Sequence, residues 1–170
     1  MKKPKTKAKK TLAKKTKPNV ASHKESLLGG NSHRLWAPWR LEYIQNTAGK
    51  KLSSCPFCVL PQQSNDEENL ILFKDRELFV ILNRFPYNPN HLMIIPRAHI
   101  SDATQVPSKL WARMAVVQQL CIKYITKAVN PHGFNMGINL GTDAGAGIAD
   151  HLHWHVLPRW KGDTNFMPLI

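Results

Sequence analysis

The sequence predicts an α+β domain, a mostly antiparallel sheet carrying one long helix. Three observations predict it. Short apolar runs bounded by Asn, Pro and Gly recur before Pro96 and after Gly133. Between them, from Pro107 to Val129, apolar residues return every three or four positions, the period of a helix with one buried face. Near the C-terminal end, His151-Leu152-His153-Trp154-His155-Val156 alternates imidazoles with apolar side chains, which puts the three histidines on one face of a strand and the packing residues on the other.

The first segment in order is residues 1–32, read as a disordered basic tail, with a folded domain over 33–170. Ten of the chain's 24 basic residues are lysines within positions 1–24, where no acid occurs; from Glu25 onward 14 basic residues face 11 acidic ones. The net charge of +13 is therefore a property of the tail. Such a segment buries too little apolar surface to offset the entropy of ordering. It is either a solubilising tail or a weak, salt-sensitive arm for nucleic acid. Leu35-Trp36-Ala37-Pro38-Trp39-Arg40-Leu41-Glu42-Tyr43-Ile44 is abruptly aromatic and marks the start of folded chain, a segment expected to pack across the domain or a partner subunit.

Cys55-Pro56-Phe57-Cys58 follows in a turn-like context. Leu70 to Phe73 and Leu78 to Leu82, split by Lys74-Asp75-Arg76-Glu77, read as a hairpin. Asn83 to Asn90 is a loop because two prolines interrupt any ladder, and His91 to Ile95 is the next strand, closed by Pro96. In the helix, Leu110, Trp111, Met114, Val117, Cys121, Tyr124, Ile125 and Ala128 form the apolar set, with Pro107 suited to the first turn and Cys121 read as core. Phe134 to Leu140 alternates as a strand. Gly141 to Gly147 is a glycine-rich loop whose amides suit a phosphate, and Pro158 ends the histidine strand or marks an edge.

No apolar run approaches the roughly 18 residues of a membrane span, and no apolar stretch of a signal sequence follows the lysines. Three cysteines do not form a disulfide framework, which fits a reducing, cytoplasmic setting. Cys55-x-x-Cys58 is open to three readings: a redox pair, a disulfide, or half of a zinc site needing two more ligands, for which the chain offers His99 and His151, with His91 as the main rival. Three imidazoles on one face bring pKa values near neutrality and a competent nucleophile, or else the ligands of a catalytic metal.

The run His151-x-His153-x-His155 followed by two apolar residues resembles the signature of the histidine triad (HIT) family of nucleotidyl hydrolases and transferases. The aromatic opening segment and Trp160-Lys161-Gly162-Asp163-Thr164-Asn165-Phe166 resemble its bacterial branch of diadenosine tetraphosphate phosphorylases and hydrolases, so that the likeness covers about residues 35–166. The resemblance implies a five-stranded antiparallel sheet with one long helix, pairing into homodimers. It implies His153 as nucleophile toward the α-phosphate of a dinucleoside polyphosphate or related adenine nucleotide conjugate, with His155 donating to phosphate oxygens. It implies nucleotide contacts from Asn83 to the ribose, and from Asn139, Gly145, Gly147 and Trp160; Arg159 and Lys161 add charge nearby. Cys55, Cys58, His99 and His151 would hold a structural zinc, with no cofactor needed for the chemical step. Gly147 stands where many relatives have a hydroxyl residue, and further C-terminal structure is expected where the chain stops at Ile170. Two other readings stand beside nucleotidyl transfer: a nucleotide-binding regulatory module without turnover, and a metal-dependent hydrolase using the histidine cluster.

Overall fold

The computed structural model describes residues 54–163. The expectations for the basic tail, for Leu35 to Ile44 and for Thr164 onward lie outside them. Five strands, β1 (Ile71–Lys74), β2 (Leu78–Leu82), β3 (Leu92–Pro96), β4 (Gly133–Ile138) and β5 (Trp154–Arg159), form one sheet in the order β1-β2-β3-β5-β4. Every neighbouring pair is antiparallel. A one-turn helix α1 (Pro56–Val59) precedes the sheet, and the long helix α2 (Ser108–Val129) lies between β3 and β4 in the chain. Among the described residues no helix is long and apolar enough to cross a membrane.

Period-two alternation divides the apolar residues between two cores. Leu78, Val80, Leu92, Ile94, Trp154 and Val156 pack on one face against Met114, Val117, Cys121 and Ile125 of α2. Phe79, Ile81, Met93 and Ile95 pack on the other against Phe57 and Ile71. β2 and β3 are buried on both faces, which is why they read as unbroken apolar runs. Cys121 sits in the helix-side core, and burial pushes its thiol up to about 11, which leaves it an inert small hydrophobe. Tyr124, counted above with the apolar stripe, is exposed, as is Ala128; at about 100° per residue Tyr124 falls a quarter turn from Ile125. Asn130, in the left-handed region at φ 45°, and Pro131 end the helix.

Strand boundaries differ from expectation where local hydrogen bonds compete with the ladder. Leu70, at φ 61°, turns the chain before β1. His91 gives its N–H to the Asn88 carbonyl (3.2 Å) and belongs to the loop, so β3 starts at Leu92. The histidine strand is the clearest correction: ladder pairing begins at Trp154, and the Leu152 N–H instead reaches the Ile100 carbonyl (2.7 Å). Alternation survives without the ladder, since Leu152, Trp154 and Val156 all enter the helix-side core. Pro158 does not end β5, but it does mark a local edge. β3 pairs β5 only as far as Val156, and the Pro158 carbonyl, facing away from β4, accepts from the Asn88 side chain (3.1 Å). Its missing N–H falls where no neighbouring strand needs a donor.

Candidate functional site

The segment 151–155 feeds two separate groups of side chains. At the first, α1 brings Cys55 and Cys58 up to His151 and to His99, which follows β3. Cys55 Sγ and Cys58 Sγ lie 3.4 and 3.6 Å from His151 Nδ1, Cys58 Sγ lies 3.3 Å from His99 Nδ1, and the two Nδ1 atoms are 3.3 Å apart. Among the described residues this is the one group of three or more His, Cys, Asp or Glu whose ligand atoms converge, all within 4.8 Å of one another. A tetrahedral zinc with Zn–N near 2.0 and Zn–S near 2.3 Å has ligand-to-ligand edges of roughly 3.3–3.8 Å. His151 is fully buried, and its Nε2–H donates to the Pro96 carbonyl (2.8 Å), which leaves the Nδ1 lone pair facing the two sulfurs. Burial, with Cys55 as neighbour, pushes the Cys58 thiol up, so a cation there must displace thiol protons. Donor types, these four distances and the His151 tautomer fit zinc.

The second group lies on the same segment one residue pair further on. His153 donates Nδ1–H to the carbonyl of His151 (2.8 Å), so the lone pair is on Nε2, the nitrogen left for the cavity that His153 lines. Burial holds His153 below the ordinary imidazole value against the opposing pull of that carbonyl, which favours the neutral, nucleophilic form. His155 is fixed from behind by His91. The Tyr87 backbone N–H and the Asn83 side-chain amide both approach His91 Nδ1 (3.2 Å each), so the His91 hydrogen sits on Nε2 and points at His155 Nδ1, 2.8 Å away. In neutral His155 the hydrogen is then on Nε2. The arrangement sets a lone pair on His153 beside a donor on His155, the two rings 4.8 Å apart.

Both residues line a cavity of about 370 Å³, together with Phe57, Leu70, Ile81, Asn83, Arg84 and Tyr87 among others. Gly145 and Gly147 also line it, as the glycine-rich loop suggested. Gly145, at φ 87°, gives its N–H to the Thr142 carbonyl (2.9 Å) and is not the donor expected of it; the turn uses that amide. Asn139 and Trp160 are not in the cavity wall. Asn139 reaches toward the Gly145 carbonyl (3.4 Å) and steadies the loop, while Trp160 gives its N–H to Asp163. Asn83 both lines the cavity and caps the turn, accepting from Phe85 N–H (2.9 Å). Arg159 turns to Asp163 and Asn135.

In the sequence His91 stands out only as a rival metal ligand, and Phe57 does not stand out at all. His91 is buried 64 residues from its partner His155, and nothing local in the sequence announces that contact. Phe57, between the two cysteines, lies 5.1 Å from the His153 ring and 5.6 Å from His151, so the metal-type turn also supplies cavity wall. The three triad imidazoles do not converge on one point: His151 faces the sulfurs, His153 its own backbone, His155 faces His91. That arrangement speaks against a single catalytic metal held by all three.

Comparison with known proteins agrees with this geometry. The HIT domain family matches residues 64–162. An AP-4-A phosphorylase of Mycobacterium tuberculosis is 40% identical over 143 residues, 81% of this chain and 73% of that protein. A Zn-bound histidine triad family protein from Mycobacterium smegmatis superposes with a TM-score of 0.58 at 30% identity, covering 66% of this chain and 81% of the other. A hypothetical histidine triad nucleotide-binding protein from Sulfolobus tokodaii gives 0.58 at 28%, covering 67% and 78%. With a matching family domain over most of the described chain and a 40% identical phosphorylase among its relatives, this chain belongs to the HIT domain family, on its hydrolase and transferase side.

Proposed function

We propose that this protein transfers a nucleotidyl group from a dinucleoside polyphosphate, of the diadenosine tetraphosphate class, to phosphate. The observation that carries the proposal is the pairing of a Nε2 lone pair on His153 with a Nε2–H donor on His155 at one cavity wall. His153 Nε2 attacks the α-phosphorus, a P–N bond forms, and the P–O bond to the remaining polyphosphate breaks. His155 hydrogen-bonds to the phosphate oxygens and stabilises charge as it builds. Phosphate then displaces the histidine, giving ADP from diadenosine tetraphosphate, with ATP as the first product. Asn83 holds the ribose at the cavity wall. The name of the 40% identical relative supports phosphorolysis over hydrolysis. Incubating the protein with diadenosine tetraphosphate, with and without phosphate, tests this: ADP formed only with phosphate is expected, and AMP with ATP in its absence marks a hydrolase.

Cys55, Cys58, His99 and His151 would hold a zinc ion whose role is structural: it ties α1 to the histidine segment, and with it Phe57 to the His153 ring. About one zinc per chain is expected from metal analysis. A site with two cysteine ligands suits a reducing, cytoplasmic setting, where thiols are kept from pairing. A homodimer is supported by β4, an edge strand with exposed Met136 on it and Leu140 just beyond, because a two-fold axis lets such an edge pair antiparallel with its own copy. A mass measurement in solution that finds only monomer removes it.

A further inference from the structure

A side-chain cluster outside the cavity points back into it. Asp163 Oδ2 accepts from the Trp160 N–H (2.9 Å), from Arg159 Nε (3.1 Å) and from Asn88 Nδ2 (2.8 Å). Arg159 is itself braced on Asn135 Oδ1 (2.9 Å). The second hydrogen of the Asn88 amide goes to the Pro158 carbonyl (3.1 Å), so both of its hydrogens tie the loop 83–91 to the end of β5. Trp160, Asn88 and Arg159 hold the Asp163 carboxyl below the usual carboxylate range, and it stays an ionised acceptor at neutral pH.

The Asn88 backbone continues the connection. Its carbonyl takes the His91 N–H, and the residue before it, Tyr87, aims its own N–H at His91 Nδ1 and stacks on the His91 ring, centroids 5.2 Å apart at 25°. The Tyr87 ring also meets His155 edge-on at 6.1 Å. The direction of the whole donor chain, from Tyr87 N–H to His91 Nδ1 and from His91 Nε2–H to His155 Nδ1, depends on where Tyr87 holds its amide. If that amide swings away, one of the donors that oppose a hydrogen on His91 Nδ1 is lost, leaving the Asn83 amide at 3.2 Å. His91 can then offer its Nε2 lone pair to His155, the His155 hydrogen moves to Nδ1, and the donor at His155 Nε2 becomes an acceptor.

We propose that Asp163 is a positioning residue for His155: by anchoring Asn88 it holds the loop that fixes the His91 and His155 tautomers. This rests on the reading of His155 as the donor to phosphate, and it predicts a loss in turnover rather than in substrate binding. Nitrogen-15 NMR of the full, metal-loaded chain reports ring tautomers without any substrate. The wild type should show Nε2–H on both His91 and His155. Asp163→Ala should introduce the Nδ1–H form at both and lower kcat about tenfold or more, with KM changed less than about threefold. Asp163→Asn keeps neutral acceptors for Asn88 and Trp160 and should recover most of the wild-type pattern. If Asp163→Ala does not fold, Asn88→Ala removes the same tie while leaving the Asp163–Arg159 pair, and should give the same two signatures. Wild-type tautomers in the folded variant, or a loss confined to KM, overturn the proposal. Failure of the nucleotidyl-transfer reading would appear separately, as absence of turnover in the wild type, and would leave the tautomer result standing.

Discussion

Two histidine groups that meet one segment four residues apart, at His151 and His155, use the same side chain in opposite ways. At Cys55, Cys58, His99 and His151, lone pairs converge: the Pro96 carbonyl takes the His151 hydrogen at Nε2, so Nδ1 can only accept or ligate. At His91 and His155, donors and acceptors alternate in a line, and the last hydrogen sits on His155 Nε2. The imidazole by itself does not distinguish the groups. What distinguishes them is the partner on the far nitrogen, which is a backbone carbonyl in one and a chain of N–H donors in the other. Converging lone pairs make a cation site, and a directed line of hydrogens serves an anion such as phosphate.

The largest expected effect breaks the catalytic side alone. His153→Ala removes the nucleophile and should lower turnover by roughly 10⁴-fold or more while nucleotide still binds, since the loss falls on the transition state. A variant turning over at close to the wild-type rate would rule out the covalent route. Next comes His91→Phe, which keeps a buried ring but gives His155 no donor; kcat should drop about a hundredfold with KM little changed. It also leaves the half-buried Tyr87 N–H and Asn83 amide facing a ring edge, at a cost of up to about 1 kcal/mol each, since both line the cavity and can turn to water. His91→Gln, with an amide donor, should recover part of the rate, and equal loss in both variants would show that the hydrogen on His91 is irrelevant.

Much of this was legible in the sequence, for reasons that differ residue by residue. The helix and the five strands were legible because burial imposes a period, and β2 was placed to the residue. The histidine alternation was legible as a face even though its first half is not ladder-paired, because Leu152 and Trp154 must still reach the helix-side core. Strand starts at His91 and Leu70 were not legible, since each is decided by a single turn bond or by a positive φ. Nor was the line from Asp163 through Asn88 to His91, which joins residues 75 and 3 positions apart by side-chain and backbone bonds that no periodicity encodes.

Breaking the converging side should move stability more than chemistry. Cys58→Ser, or chelation, should lower Tm by about 10 °C, while the rate at 25 °C stays within about tenfold. If Tm is unchanged and the metal content is zero, the cluster is not a metal centre. Its pH dependence has a definite sign. Cys58 is pushed above the ordinary thiol value in the metal-free protein, so its thiol is protonated at neutral pH and binding zinc must release that proton. Affinity should therefore rise with pH and fall by at least about tenfold for each unit of acidification, which a competition titration at two pH values will read.

The smallest expected effect sharpens the comparison most. His99 is the exposed member of the convergent cluster; its Nδ1 faces Cys58 and His151, and with a cation bound it would contribute only a lone pair. A thiolate supplies the same thing, and zinc takes three sulfurs and one imidazole as readily as two and two. The longer Zn–S bond, about 2.3 against 2.0 Å, makes up part of the reach lost with the shorter side chain. His99→Cys should therefore keep about one zinc per chain, a Tm within a few degrees of the wild type, and unchanged turnover. His91→Cys is the matched test across the comparison: a thiol is too weak and too short a donor to replace the His91 Nε2–H at His155, so kcat should fall with the metal still bound. If the two substitutions cost turnover equally, the division between a lone-pair site and a directed hydrogen-bond line does not describe this protein.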